Sequence, residues 1–210
     1  MQKDKESKII VLDEGVLYGR GSHKESYVHP LNNRLCIKVP YNDGGKIDLE
    51  REIKYIELLK SKKKDYSILP QYIGNVQTSR GRGYIFELIK DYTGEKSRTL
   101  EDFLKDEILL SDNLDLVAGL LKQLRTNLLQ NEIITMGLFP ENIIFQRMNN
   151  NEYRIRMVND MGSAALIPLE YYFSFFAVKK ILRRWQRFIN VVRNDYSNKY
   201  INKLLENIDR

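Results

Sequence analysis

The strongest constraint on this chain is a change of hydrophobic period part-way along it. Up to about residue 90, apolar residues come in short runs: Ile9-Ile10-Val11-Leu12, Tyr27-Val28, Leu35-Cys36-Ile37-Lys38-Val39, then 72–77 and 83–89. Turn-forming stretches at 19–22, 30–33 and 78–82 separate them, so the runs read as strands of a small antiparallel sheet. One segment departs from this. Residues 47–59 place Leu49, Ile53, Ile56 and Leu58 or Leu59 near helical spacing, after the Asp43-Gly44-Gly45 break and before Lys62-Lys63-Lys64. Beyond Asp91-Tyr92-Thr93-Gly94 the pattern turns leucine-rich and helical over 100–110 and 114–129. Two brief strands at 142–146 and 153–158 flank Asn149-Asn150-Asn151, and a helical tail runs from about Leu169. This order predicts an α+β fold of two small lobes in a single domain. Residues 1–90 form an N-terminal antiparallel sheet with one helix, and 91–210 form a reduced, mainly helical lobe.

Composition narrows the class. The chain has 210 residues, 42% hydrophobic and 30% charged, enough to bury a core. No apolar run approaches the roughly 18 to 20 residues that cross a bilayer, so a transmembrane chain is not expected. The charged opening Met1-Gln2-Lys3-Asp4-Lys5-Glu6-Ser7-Lys8 has no secretory core, and the single cysteine, Cys36, rules out an internal disulfide. Both point to a soluble protein in a reducing, cytoplasmic setting. The net charge of +6 suits a phosphate-bearing partner: nucleotide, nucleic acid, lipid headgroup or phosphorylated sugar. Nucleic acid is not expected, since zinc-ligand spacing, a recognition helix and an aromatic RNA-binding strand signature are all missing. His23 and His29 are too few for a metal cluster.

Several short segments carry chemistry. Gly19-Arg20-Gly21 lies between two strands, where backbone amides approach phosphate oxygens unobstructed, and Lys24 adds a cation beside it. Lys38 sits mid-strand, and Glu52 on the following helix is its expected ion-pair partner, with Glu50 as the alternative. The stretch from Ile133 to Phe145 follows a leucine-rich helix and contains Pro140-Glu141-Asn142. Asn142 is suited to Mg²⁺ because its amide oxygen is a neutral hard donor, and Asp160 of Asp160-Met161-Gly162 supplies the anionic ligand. Phe86, Glu87 and Ile89 end a strand that fits the hinge of a kinase-like site, and that resemblance implies Phe86 beside an adenine pocket and the backbone of Glu87 and Ile89 offered to the base.

Order and placement together resemble the nucleotide site of protein kinases. More specifically, the chain resembles the bacterial YrbL family, named for its place in the PhoP regulatory network and related to the protein-kinase superfamily. The resemblance runs from about Leu17 to Phe188. It is carried by Gly19-Arg20-Gly21-Ser22-His23-Lys24, Tyr27-Val28-His29-Pro30, Cys36-Ile37-Lys38, Arg51-Glu52-Ile53-Lys54-Tyr55, Gly83-Tyr84, Ile134-Thr135-Met136, Pro140-Glu141-Asn142-Ile143 and Leu166-Ile167-Pro168-Leu169. It implies a small kinase-like fold, with ATP and Mg²⁺ as cofactors. Kinase roles carry over to Gly19, Gly21, Lys38, Glu52, Asn142 and Asp160, with Lys38, Glu52 and Asp160 the residues nearest the chemistry.

The departures shape the functional expectation. Where kinases carry histidine, arginine and the catalytic aspartate, this chain has Thr135-Met136-Gly137, and Phe139 stands where a lysine is common. A general base contributes about 10² to 10⁴ in rate, whereas positioning and electrostatics supply most of phosphoryl-transfer catalysis. The chain is therefore expected to bind ATP and Mg²⁺ as a pseudokinase-type regulatory protein, with ATP favouring a closed arrangement of the lobes. The alternatives are an active atypical phosphotransferase on a protein, sugar or cell-envelope acceptor, in which an acidic substrate hydroxyl or another carboxylate such as Glu141 makes up for the base, and a basic binding module without nucleotide.

The tail adds a further candidate. Within 175–192, Phe175, Val178, Ile181, Leu182, Trp185, Phe188, Ile189 and Val192 fall on one helical face, opposite Lys179, Lys180, Arg183, Arg184 and Arg187. That helix either packs its apolar face on the second lobe with solvated cations, or docks a protein partner or anionic surface.

Overall fold

The computed structural model describes residues 9–209, so the charged stretch 1–8 lies outside the described residues. The fold is mixed α+β and divides into two compact units. The first comprises the described residues to Ile53 with Pro70–Leu88. The second comprises Lys54–Leu69 with Ile89–Arg210.

The first unit is a five-stranded antiparallel sheet. Its strands are β1 (Leu17–Arg20), β2 (Lys24–His29), β3 (Asn32–Pro40), β4 (Tyr72–Thr78) and β5 (Gly81–Glu87), in the order β1-β2-β3-β5-β4. The register opposes Lys38 to Tyr84 and Cys36 to Phe86. Tyr27, Ile37 and Val39 form an apolar cluster with Leu12.

Residues 9–12, expected as a strand, are not one. Ile10 makes a single bridge to Thr78, and Leu12 then donates its amide to the Ser79 hydroxyl at 3.0 Å. Asp13 next caps a 3₁₀ turn over Glu14–Val16, which takes the chain off the ladder after one bridge.

The helix α1 spans Asp43–Ser61, so Asp43-Gly44-Gly45 opens it instead of breaking it. A side-chain carbon on Gly45 would stand 2.2 Å from the His23 carbonyl oxygen, so close backbone approach explains that glycine. The helix ends at the lysine run, where Lys63 adopts a left-handed φ of 54°.

The second unit holds five more helices: α2 (Leu100–Lys105), α3 (Glu107–Asp112), α4 (Leu114–Gln130), α5 (Ser174–Asp195) and α6 (Ile201–Asp209). Residues 100–110 form two helices because the Asp106 carboxylate accepts from the Leu109 amide and starts a new one. Leu121, Leu124, Phe188 and Leu204 are among its buried residues, and α4 packs against α5 and α6. A three-stranded antiparallel sheet accompanies the helices: β6 (Arg98–Thr99), β7 (Ile143–Arg147) and β8 (Tyr153–Met157), in that order. β6 is too short to show a period, and its Thr99 also caps α2 in a capping box with Asp102. No helix of the described residues is long and apolar enough to cross a membrane.

Candidate functional site

In the first unit, the strand β3 and helix α1 bring Lys38 and Glu52 together. The Lys38 ammonium lies 3.2 Å from Glu52 Oε1, and the two side chains are only 6% and 2% exposed. It also sits over the Phe86 ring, 4.3 Å from the centroid. Alternation along β3 places Lys38 on the face shared by Cys36 and Phe86, which explains that contact. Glu50, the alternative partner, accepts instead from the Tyr84 hydroxyl at 3.3 Å. Lys38 is therefore a buried cation, with the Glu52 carboxylate and the Phe86 ring among the groups that hold it. Such a pair recovers its desolvation cost only with good geometry.

The other candidates of this unit are placed as follows. Gly19 lies in β1 opposite Ser26, and a side-chain carbon there would meet nothing within 4 Å. The Gly21 amide donates to the Lys24 carbonyl at 2.9 Å, so it closes the turn between β1 and β2. Lys24 opens β2 opposite Pro40. Phe86 is fully buried and packs against Tyr72 at a centroid distance of 5.3 Å. The Glu87 amide donates to the Gln71 carbonyl at 2.8 Å, and its carboxylate accepts from the Gln71 amide at 3.2 Å. The amide of Glu87 is thus committed within the unit. Ile89 is buried at the start of the second unit's larger segment.

In the second unit, the segment after α4 is built almost without regular structure, by backbone hydrogen bonds. Thr135 bridges Met161; the Met136 amide donates to the Asp160 carbonyl at 2.8 Å, and the Gly162 amide to the Ile134 carbonyl at 2.9 Å. This ladder sets Asn142, in the 3₁₀ turn Pro140–Asn142, beside Asp160. The Asn142 Nδ2 donates to Asp160 Oδ2 at 2.8 Å, and its Oδ1 accepts from Asn159 Nδ2 at 3.1 Å. Asn159 and Asp160 both hold left-handed backbone, φ 61° and 56°. Asparagine and aspartate tolerate that region better than most residues, yet two in a row mark a locally constrained turn.

A carboxylate and an amide oxygen are donors of the type Mg²⁺ takes, but as found Asn142 turns its Nδ2 and not its oxygen to Asp160. Asn142 Oδ1 would exchange its bond from Asn159 for the metal. Among the described residues no group of three or more His, Cys, Asp or Glu is arranged to hold a metal ion by itself.

Gly137 is packed over. A side-chain carbon built there would stand 2.4 Å from the Phe139 ring, so Gly137 and Phe139 lie against each other. Glu141, considered as a replacement base, is exposed. Its charge acts on Tyr196, whose hydroxyl is pushed up to about 12 by burial first, then by Glu101 and Glu141.

Sequence reasoning missed a pair of tyrosines that brace this segment. Tyr55 donates to the Glu132 carbonyl at 3.1 Å and accepts from the Ile134 amide at 2.6 Å. Its ring stacks on Tyr171 at 5.0 Å, and Tyr171 accepts from the Ser163 amide at 2.6 Å. Burial pushes the Tyr55 hydroxyl well above its usual range. Gly162 fits between them, since a side-chain carbon there would lie 2.8 Å from the Tyr171 hydroxyl. Tyr55 belongs to the Arg51-Glu52-Ile53-Lys54-Tyr55 stretch already singled out, but nothing in its spacing revealed a partner some 80 residues away.

Residues 10–193 match the family model described as PhoP regulatory network protein YrbL. The chain belongs to the YrbL family. It is 36% identical over 183 residues to a protein of Escherichia coli (strain K12) described as "Uncharacterized protein YrbL", covering 86% of this chain and 87% of that one. A protein of Shigella flexneri with the same description matches to the same extent. In this YrbL-family chain the matched span includes both the Lys38–Glu52 pair and the Asn142–Asp160 pair.

Proposed function

We propose that this chain is a kinase-like nucleotide-binding protein that holds ATP with Mg²⁺ and acts as a regulator, in keeping with its family's description as a PhoP regulatory network protein. The observation that carries the reading is the buried Lys38–Glu52 ion pair. A desolvated lysine and glutamate are a poor route to stability, because an apolar pair of similar volume serves as well or better. An anionic ligand gives the arrangement a purpose: Glu52 aims the ammonium, and the ammonium meets phosphate oxygens. Asn142 and Asp160 are the residues that would hold Mg²⁺, which when bound neutralises phosphate charge. In this reading the five-stranded unit and the helical unit are the reduced lobes of a kinase-like fold.

The regulatory rather than catalytic assignment rests on Gly137. Neither glycine nor the Phe139 ring packed on it accepts a proton. Thermal shift and calorimetry with ATP, with and without Mg²⁺, test the proposal on the wild type, Lys38→Ala and Asp160→Ala. Stabilisation of the wild type by ATP, with the Mg²⁺-dependent part lost in Asp160→Ala, supports it. No binding under any condition removes every nucleotide role.

One observation favours a second reading, phosphoryl transfer to a protein, sugar or cell-envelope acceptor. The left-handed backbone at Asn159 and Asp160 is the kind of local strain that clusters where a side chain must be aimed. Transfer of the γ-phosphoryl group to any acceptor by the wild type, lost in Asp160→Asn, would establish it.

A further inference from the structure

The helix α5 buries only part of the face that its sequence pattern marks as apolar. Ala177, Ile181, Trp185, Phe188 and Val192 are buried, but Phe175, Val178 and Leu182, spaced i, i+3, i+7, are exposed. The loop that precedes the helix in the chain also exposes apolar side chains, with Leu166 98% and Ile167 71% exposed and Phe173 out in solvent. Phe173, Phe175 and Phe176 touch edge to face, at centroid distances of 5.6 and 6.1 Å, so they form one continuous apolar surface. Clustered exposed apolar side chains of this kind are characteristic of interaction sites.

The charge beside it is equally one-sided. Lys179, Arg183 and Arg187, spaced i, i+4, i+8, make an exposed row along the apolar one. Among the described residues none of the three forms an ion pair, whereas Lys180, one position on, is paired with Glu170. Arg184 is held below its usual range by burial and then by Arg183 and Arg187, so the cations also repel one another. Between residues 164 and 195 there are six cations against only Glu170 and Asp195, which places four of the chain's six net positive charges on this stretch.

We propose that this surface docks the chain peripherally on an anionic phospholipid bilayer, with Leu166, Ile167 and Phe175 entering the acyl boundary and Lys179, Arg183 and Arg187 at the phosphate plane. A bilayer offers anionic headgroups directly above an apolar layer, the same juxtaposition as the two rows. Long cationic side chains reach the headgroups while their stems stay apolar. A second copy of the chain would bring the cation rows together, and an acidic protein would need a preformed hollow for a side chain as prominent as Leu166.

The test is co-sedimentation of the full chain with vesicles of phosphatidylcholine alone and of phosphatidylcholine mixed with phosphatidylglycerol, at low and high salt. The wild type is expected to sediment with the mixed vesicles only, and less at high salt. Each cation removed is expected to weaken partitioning about fivefold, so Lys179→Gln with Arg183→Gln drops it by more than tenfold. Leu166→Ser with Phe175→Ser is expected to abolish it at unchanged charge. Leu166→Trp, read by emission, is expected to shift to the blue on mixed vesicles, and as an exposed single replacement it reports even where a double variant fails to fold. Absence of wild-type sedimentation with mixed vesicles overturns the proposal. So does binding that follows the cations but is indifferent to Leu166 and Phe175 with no emission shift, since that describes a polyanion or acidic protein site.

Discussion

The Phe139 ring lies where any side chain on Gly137 would have to go, with ring carbons 2.4 and 2.7 Å from the position of an added Cβ. Gly137 and Phe139 are therefore coupled: what either position can hold depends on the other. An aspartate cannot be restored at 137 while Phe139 keeps its place.

Gly137→Asp alone is expected to cost about 1–3 kcal/mol from overpacking, limited because Phe139 is 43% exposed and can swing away. Adding Phe139→Ala should recover most of that loss. Urea denaturation of the two singles and the double checks this; a double that loses the sum of both singles would show that the ring is not the obstacle.

The Lys38–Glu52 pair predicts strong non-additivity. Lys38→Met leaves Glu52 buried without its cation and is expected to cost about 3–5 kcal/mol. Lys38→Met with Glu52→Leu should cost clearly less than either single replacement. A double-mutant cycle by urea denaturation measures the coupling, and additive losses would mean that the ion pair is not held as found.

Tyr55→Phe removes the acceptor for the Ile134 amide and the donor to the Glu132 carbonyl. The Ile134 amide is buried, so the expected loss is about 1–3 kcal/mol. Hydrogen exchange should show faster opening of residues 133–136 in this variant, against little change in the sheet of the first unit.

Stability should fall on the acid side. Burial alone would raise the Glu170 carboxyl, but hydrogen bonds from Lys180 and Ser163 outweigh it and hold it below its ordinary 4.5. Glu132 is lowered as well, first by Ser174, then by Lys64 against the opposing effect of burial. A depressed folded-state pKa gives stability that is complete above the unfolded value and lost as pH falls through the folded one. Urea midpoints should therefore hold down to about the ordinary carboxylate range and decline below it, and Glu170→Gln should decline less steeply.

What the sequence made legible follows the strength of local signals. β2 to β5 and α4 were readable because their apolar periods run for several residues between clear turns. Lys38 and Glu52 were readable because strand and helix are adjacent in the chain and opposite charges are sparse in apolar runs. Residues 9–12 misled because an apolar run signals burial or pairing without saying how many bridges form. The start of α1 misled because Gly44 and Gly45 serve close packing on the His23 carbonyl, which only the fold reveals. The face of α5 misled most usefully: helical spacing assigned eight apolar residues to one side, and the structure buries only part of them. The tyrosine brace was invisible because Tyr55 and Ile134 lie 79 positions apart.

The burial of Lys38 has a consequence for reagents. An amine-directed acylating probe applied to the folded chain meets exposed lysines such as Lys62, Lys63 and Lys179 first, and reaches a side chain 6% exposed and held by Glu52 last. The order in which the lysines are tagged is then a chemical clock, and Lys38 is the hand that moves only when the first unit loosens around it.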